Sequence, residues 1–130
     1  MNTATAPLGI TGIGQIAINA HDIERATAFY RDKLGMRFLF TTGKLAFFDC
    51  GGIRLMLDVA ENPEFDHPSS ILYFRVPDID AAYRQLSNND VVFQDKPHLI
   101  AQMPDHDLWM TFFRDSEKNL LALMSEVPRS

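Results

Sequence analysis

DIERATAFYRDKLGM, residues 22–36, carries its own start and stop signals. Asp22 is a residue type that caps helix N-termini through its carboxylate. Ile23, Ala26, Phe29 and Tyr30 then recur on one face at helical spacing. Gly35 follows Leu34 as a left-handed C-terminal stop requires. Upstream, GQIAINA at 14–20 is a short β-rich run. Downstream, three strand candidates at 36–41, 44–50 and 53–59 are separated by Gly43 and by Gly51 and Gly52, which read as hairpin punctuation. The unit is therefore strand, helix, strand, strand, strand.

The same order then returns. ILYFRV at 71–76 is a strand, and Asp78 caps a second helix with Ile79, Ala82, Tyr83 and Leu86 on its apolar face. Strand candidates follow at 91–94, 108–114 and 120–125. Asp22 with Ile23 and Asp78 with Ile79 are the same device, which marks an internal repeat of about 56 residues. The halves meet at AENPEFDHPSS, 60–70, whose prolines and polar residues suit a surface loop. A second irregular stretch at 96–107 interrupts the second half. Each module alone would leave one sheet face bare, so the two must pack together or against a second chain. The expected organisation is a lead-in at 1–11 and one α+β domain at 12–127, with module one at 12–59, the loop at 60–70 and module two at 71–127.

The chain has 130 residues, enough for one domain with a sizeable core. Its hydrophobic fraction of 46% and charged fraction of 22% are those of ordinary globular proteins. No apolar run approaches the roughly 20 residues that span a bilayer. The first residues lack the basic start and long apolar stretch of a signal peptide, so a cytoplasmic location is the expectation. Cys50 is the single cysteine, which excludes an internal disulfide. Beside two glycines it reads as a packed small residue in place of a nucleophile. A net charge of −5 argues against nucleic acid, whose binding relies on Lys and Arg neutralising phosphates.

Residues 22–36, with Phe29-Tyr30 inside an Asp-capped helix that closes on Leu34-Gly35, resemble the first-helix signature of the vicinal oxygen chelate superfamily. FRDSEKNLLALM, 113–124, resembles its closing hairpin, usually Asp-Pro-x-Gly-Asn before an apolar strand. Here Ser116 and Lys118 stand where Pro and Gly are usual. With the duplicated modules, the resemblance runs from 12 to 126. It implies two tandem βαβββ modules forming a cupped mixed sheet around a small-molecule pocket. Glyoxalases, bleomycin resistance proteins and extradiol dioxygenases share that scaffold, so it does not imply one reaction. In metal-dependent relatives the first and fourth strands of each module supply His, Glu or Gln ligands. The matching positions here are Gln15, Met56, Ile71 and Ala122, of which only Gln15 suits a hard divalent ion. No cofactor is expected, and a divalent metal is the alternative.

Side chains alternate across a strand, so these positions fix which residues face the concave side. Gln15, Ala17 and Asn19 would face in from the first strand, and Arg54, Met56 and Asp58 from the fourth. Ile71, Tyr73 and Arg75, then Leu120, Ala122 and Met124, follow from module two, with Leu108, Met110 and Phe112 as neighbours. An apolar centre with a polar rim is the anatomy of a small-molecule pocket. The methionines can equally be adaptable core filling. Arg54 and Arg75 would need a carboxylate such as Asp58 or an anionic ligand. His98 and His106, placed in the irregular stretch, are the general-base candidates and Tyr73 the proton donor. His67, in the loop between modules, is a further histidine that could line a pocket mouth. Trp109 has the opposite parity to Met110 and belongs on the helix side.

Three functions are compatible with these features. The first is a metal-free small-molecule-binding protein resembling the bleomycin-resistance branch, expected as a homodimer whose clefts combine one module from each chain. The second is a lyase, isomerase or dioxygenase with a relocated site built from Gln15, His98, His106 and Glu61 or Glu64. The third is a degenerate domain used for assembly.

Overall fold

The computed structural model describes residues 9–129, so most of the expected lead-in lies outside the described residues. Module one runs β1 (Gln15–Ala20), α1 (Ile23–Ala28), a π-helical turn (Phe29–Lys33), β2 (Arg37–Thr42), β3 (Leu45–Cys50) and β4 (Ile53–Val59). A loop with one short helical turn at Pro63–Phe65 leads to module two. That module comprises β5 (Leu72–Arg75), α2 (Ile79–Asn88), β6 (His98–Gln102), β7 (His106–Arg114) and β8 (Leu120–Pro128). Each module forms one four-stranded mixed sheet, ordered β1-β4-β3-β2 and β5-β8-β7-β6. In both, the first and last strands of the module run parallel and the hairpin strands antiparallel. The βαβββ unit is thus built twice with one topology.

The repeated cap is visible at the level of backbone angles. Asp22 sits at φ −136, ψ 106 and accepts from the Arg25 N–H, while Asp78 sits at φ −134, ψ 101 and accepts from the Ala81 N–H. Both bonds are 3.0 Å long. The first helix departs from a regular α-helix where Leu34 N donates to Phe29 O, a bond that spans five residues. The wider turn leaves the consecutive rings of Phe29 and Tyr30 both buried. Gly35, at φ +69, then closes the helix in the left-handed region, as its place in the sequence requires.

One core serves both modules. The helix-facing side of the first sheet supplies Ile18, Ala20, Phe48, Leu55 and Leu57, and that of the second supplies Phe113, Leu121 and Leu123. Ala26, Phe29 and Tyr30 from the first helical segment and Ile79 and Leu86 from α2 join the same cluster. Trp109 packs against it from β7, on the side its parity predicts.

The second half corrects three boundaries. Residues 91–94 are not a strand, since only Phe93 bridges to Phe113. Val91 is buried and Phe93 packs on the core, while the Asp95 carboxylate accepts the Phe112 N–H at 3.0 Å, a group that a neighbouring strand's carbonyl would otherwise take. The second strand of the module is β6, inside the stretch 96–107 that reads as irregular. Its register shifts between Leu99 and Ala101, and the shift breaks the period-two pattern that marks a strand in sequence. β2 carries the corresponding shift between Phe38 and Phe40. β8 runs on to Pro128, past the strand end expected from sequence.

A polar lock joins the modules at the β7–β8 hairpin. Asp115, buried, accepts the Tyr30 hydroxyl at 2.7 Å and the N–H groups of Glu117 and Asn119 at 2.8 Å each. Glu117, with its side chain 1% exposed, accepts the His21 and Asp22 N–H groups and the Arg25 guanidinium through Nε and Nη2. Asn119 Nδ2 donates to Asn19 O at 2.7 Å. Lys118 occupies the glycine position of the hairpin at φ +70, so the turn geometry survives the substitution at a cost of about 1 kcal/mol.

Two predictions follow from the lock. Tyr30→Phe removes a buried donor from Asp115 and should lower unfolding free energy in urea by about 1–2 kcal/mol. Tyr83→Phe, on the half-buried face of α2, should change it little, and equal losses in the two variants would deny the lock its role. For Glu117, burial disfavours the charged form, but Arg25, the two N–H groups and Ser116 outweigh it and hold the pKa down from 4.5 to about 2. Its stabilisation is therefore complete above the unfolded value and is lost as pH falls toward 2. Glu117→Gln should be less stable than wild type at neutral pH, with the difference closing between about pH 4.5 and 2 in acid titrations followed by circular dichroism. Parallel curves would exclude Glu117 from the acid response.

Candidate functional site

Each sheet turns one face to its helix and leaves the other open. On the first sheet, register places Gln15, Ala17 and Asn19 of β1 beside Arg54, Met56 and Asp58 of β4, and these beside Asp49, Phe47 and Leu45 of β3. This is the set that strand alternation predicts, extended by one strand. Arg54 Nε donates to Gln15 Oε1 at 2.8 Å, and Gln15 Nε2 reaches Met56 Sδ at 3.5 Å. The Arg54 guanidinium lies 5.6 Å from the Phe47 ring centre. Phe40 stacks on the same ring, with centroids 4.6 Å apart.

Arg54 does not pair with Asp58, which corrects the internal ion pair considered from sequence. Positions four apart on one strand are separated by about 13 Å, beyond side-chain pairing at ion-pair distance in this arrangement. Asn19 is also differently engaged. Its N–H donates to Ser69 Oγ at 2.7 Å and its Nδ2 to Asp66 Oδ1 at 3.0 Å, so it ties β1 to the loop between modules. His21 Nε2 lies 2.9 Å from the same Asp66 oxygen. His67 is exposed, its Nδ1 3.1 Å from the Pro68 carbonyl. Glu61 and Glu64 are exposed on that loop.

On the second sheet the open face carries Tyr73, Ala122 and Phe112 in one row and Arg75, Met124, Met110 and His98 in the next. Ile71 precedes β5 with the same parity and is exposed. The Tyr73 and Phe112 rings meet edge-on at 5.9 Å, and Ala122 between them is fully buried. Ala122 is therefore floor, not lining. His98 and His106 are strand residues rather than loop residues, and both lie on this face. His98 Nδ1 is 3.0 Å from Lys96 O. His106 Nδ1 is 2.7 Å from Asp105 Oδ1, and its Nε2 is 3.6 Å from Glu126 Oε2. Glu126 Oε1 is 3.7 Å from Arg75 Nε, which makes Glu126 the centre of a His106–Glu126–Arg75 chain.

Of the sequence-named acid–base set, His106 and Tyr73 are not brought together in one chain. His106 and Phe112, the neighbour of Tyr73, are six positions apart on β7, about 20 Å. Proton transfer by both groups to one reacting centre needs hydrogen-bond reach. Gln15 lies on the other sheet from His98 and His106. No strand of one sheet packs extensively on a strand of the other. A cavity of about 280 Å³ between the modules lies on the helix side, lined by Leu34, Met36, Cys50, Phe74, Leu86 and Phe113 among others. Burial, then the neighbouring Asp49, pushes the Cys50 thiol pKa up, which suits a packed residue.

The positions marked for metal ligands offer one amide oxygen, one thioether and two hydrocarbon side chains. The amide oxygen is taken by Arg54. This donor set does not fit a hard divalent ion. Among the described residues, no three His, Cys, Asp or Glu side chains group as a metal site. Two contributors escaped the sequence reading. Phe47 sits on β3, outside the first and fourth strands on which that reading relied, although Phe47-Phe48 must send one ring to each face. Glu126 lies beyond the expected strand end at Ser125, although its parity with Ala122 and Met124 could have placed it.

Among the described residues, no helix is long and apolar enough to cross a membrane. A family model for the glyoxalase/bleomycin resistance protein/dioxygenase superfamily matches residues 12–123. The uncharacterized protein YraH of Bacillus subtilis (strain 168) is 26% identical over 126 residues, covering 84% of this chain and 94% of that protein. Among solved structures, a superfamily member from Sphaerobacter thermophilus DSM 20745 superimposes with a TM-score of 0.74 at 22% identity, covering 92% of this chain and 100% of that one. A lactoylglutathione lyase from Agrobacterium tumefaciens gives a TM-score of 0.69 at 24% identity, covering 89% and 94%. With two βαβββ modules in tandem and a family match over most of its length, the chain belongs to the glyoxalase/bleomycin resistance protein/dioxygenase superfamily.

Proposed function

We propose that this chain is a homodimeric small-molecule-binding protein that works without the four-ligand metal centre of its metal-dependent relatives. The observation that carries this reading is the pair of open sheet faces. Their apolar residues stay accessible in a single chain, with Phe40 48% exposed, Ile71 41% and Tyr73 45%. Apolar side chains left accessible on a sheet face suit a partner or a ligand. Apposing the first module of one copy with the second module of another would enclose a cleft with Met56, Phe40, Met110 and Phe112 at its centre and Arg54, Arg75 and His106 at its rim. That combination of a greasy interior with few polar groups suits a small organic molecule.

An acid–base enzyme is the second reading, and a specific contact favours it. His106 stands between Asp105 and Glu126, so its ring is oriented. Turnover that survives the double replacement H98A/H106A would remove that reading.

Light scattering after size-exclusion chromatography should give twice the chain mass, and Tyr73→Glu, which puts a charge on the open face, should give monomers that remain folded. A wild-type monomer would overturn the dimer. In the same preparations elemental analysis should find far less than one metal per chain, and added divalent ions should leave the melting temperature unchanged. One tightly held ion per chain, or stabilisation by a single ion, would overturn the metal-free reading.

A further inference from the structure

From the surroundings of Arg54, and resting on the small-molecule reading above, we infer that the ligand of the open face carries a carboxylate or a comparable oxyanion, and that Arg54 binds it. Arg25, Arg31, Arg37, Arg75 and Arg129 each have a carboxylate within 4.0 Å. Arg54, like Arg84 and Arg114, has none among the described residues, and of these three it is the one that lies on the open face beside Gln15 and Phe47. The neighbouring acid across the sheet, Asp49, is instead 3.9 Å from Arg37. Arg54 is nevertheless held in place. Its Nε donates to Gln15 Oε1, Gln15 is anchored at its other end on Met56 Sδ, and the guanidinium lies over Phe47, whose ring is backed by Phe40.

Arg54 is thus an exposed cation oriented through Nε, with no carboxylate within 4.0 Å among the described residues. Gln15 orients the guanidinium without neutralising it, because an amide oxygen carries no charge. The cation–π contact with Phe47, at 5.6 Å from the ring centre, consumes no donor. Only Nε is engaged within the described residues, so both terminal nitrogens remain as donors. Parallel N–H groups of one guanidinium match the two oxygens of a carboxylate. Met56 and Phe40 beside it provide apolar contact for the body of such a molecule, with the buried Phe47 ring beneath. Gln15, which stands at a metal-ligand position of the superfamily, has here the different role of orienting an anion-binding arginine. A lysine would not reproduce this site, since its ammonium is a flexible point charge that neither stacks nor chelates.

The test compares naphthoate with naphthamide, which share a body and differ in charge, by calorimetric titration of the wild-type protein at low salt. The acid should bind about tenfold tighter or more, as a charge-assisted bidentate pair would give. Arg54→Met should erase that preference while leaving the amide's affinity and the melting temperature close to wild type. Arg54→Lys should retain only part of it. Arg84→Met, an exposed arginine on α2, should leave it intact and so control for net charge. Equal affinity for the two probes, or a preference that persists in Arg54→Met, overturns the inference while small-molecule binding stands. Binding of neither probe overturns both the inference and the reading on which it rests.

Discussion

Two buried carboxylates in the β7–β8 hairpin hold the fold in its arrangement. Asp115 and Glu117 sit on module two, yet the groups that satisfy Glu117 come largely from module one, the N–H groups entering α1 and the Arg25 guanidinium, and the Tyr30 hydroxyl adds to the hairpin donors of Asp115. Each buried charge would be costly without these donors. Neither module can therefore rotate against the other without leaving a carboxylate unpaired. Apolar packing in the shared core gives the affinity of one module for the other, and the hairpin fixes the angle at which they meet. That angle decides which faces of the two sheets are left open.

Much of this was legible in the sequence because it rests on local rules. The two Asp caps, Gly35 after Leu34, and the apolar face of each helix are short-range devices, and each is found where its residue type demands. The parity of β1 and β4 likewise gave the open face of the first sheet residue by residue. What escaped depends on tertiary pairing. β6 is hidden because its bulge spoils the alternation of HLIAQ, and because Asp95 diverts the segment before it by supplying a side-chain acceptor to β7.

Within the candidate site, the sequence identified residue types better than partners. Arg54 was recognised as an arginine in need of a partner, but the partner is the neutral Gln15 and an aromatic ring, neither of which charge matching would select. His98 and His106 were picked out for their chemistry and placed in a loop; strand pairing puts them on the open face. Glu126 was missed because the last strand is longer than its apolar run. Hydrophobic alternation ends where a strand leaves the core, whereas backbone pairing with β7 continues to Pro128.

The register shifts in β2 and β6 bear on a hazard of this architecture. Both are edge strands of sheets that already present apolar surface, and Leu39, Phe40, Leu99 and Ile100 are exposed along them. A straight edge of that composition would template another strand, and copies could add indefinitely in fibre-like stacks. The shift at Phe38/Phe40 and its counterpart at Leu99/Ala101 interrupt the row of outward N–H and C=O groups in both modules. Edge-to-edge growth is thereby discouraged, while the broad faces stay accessible.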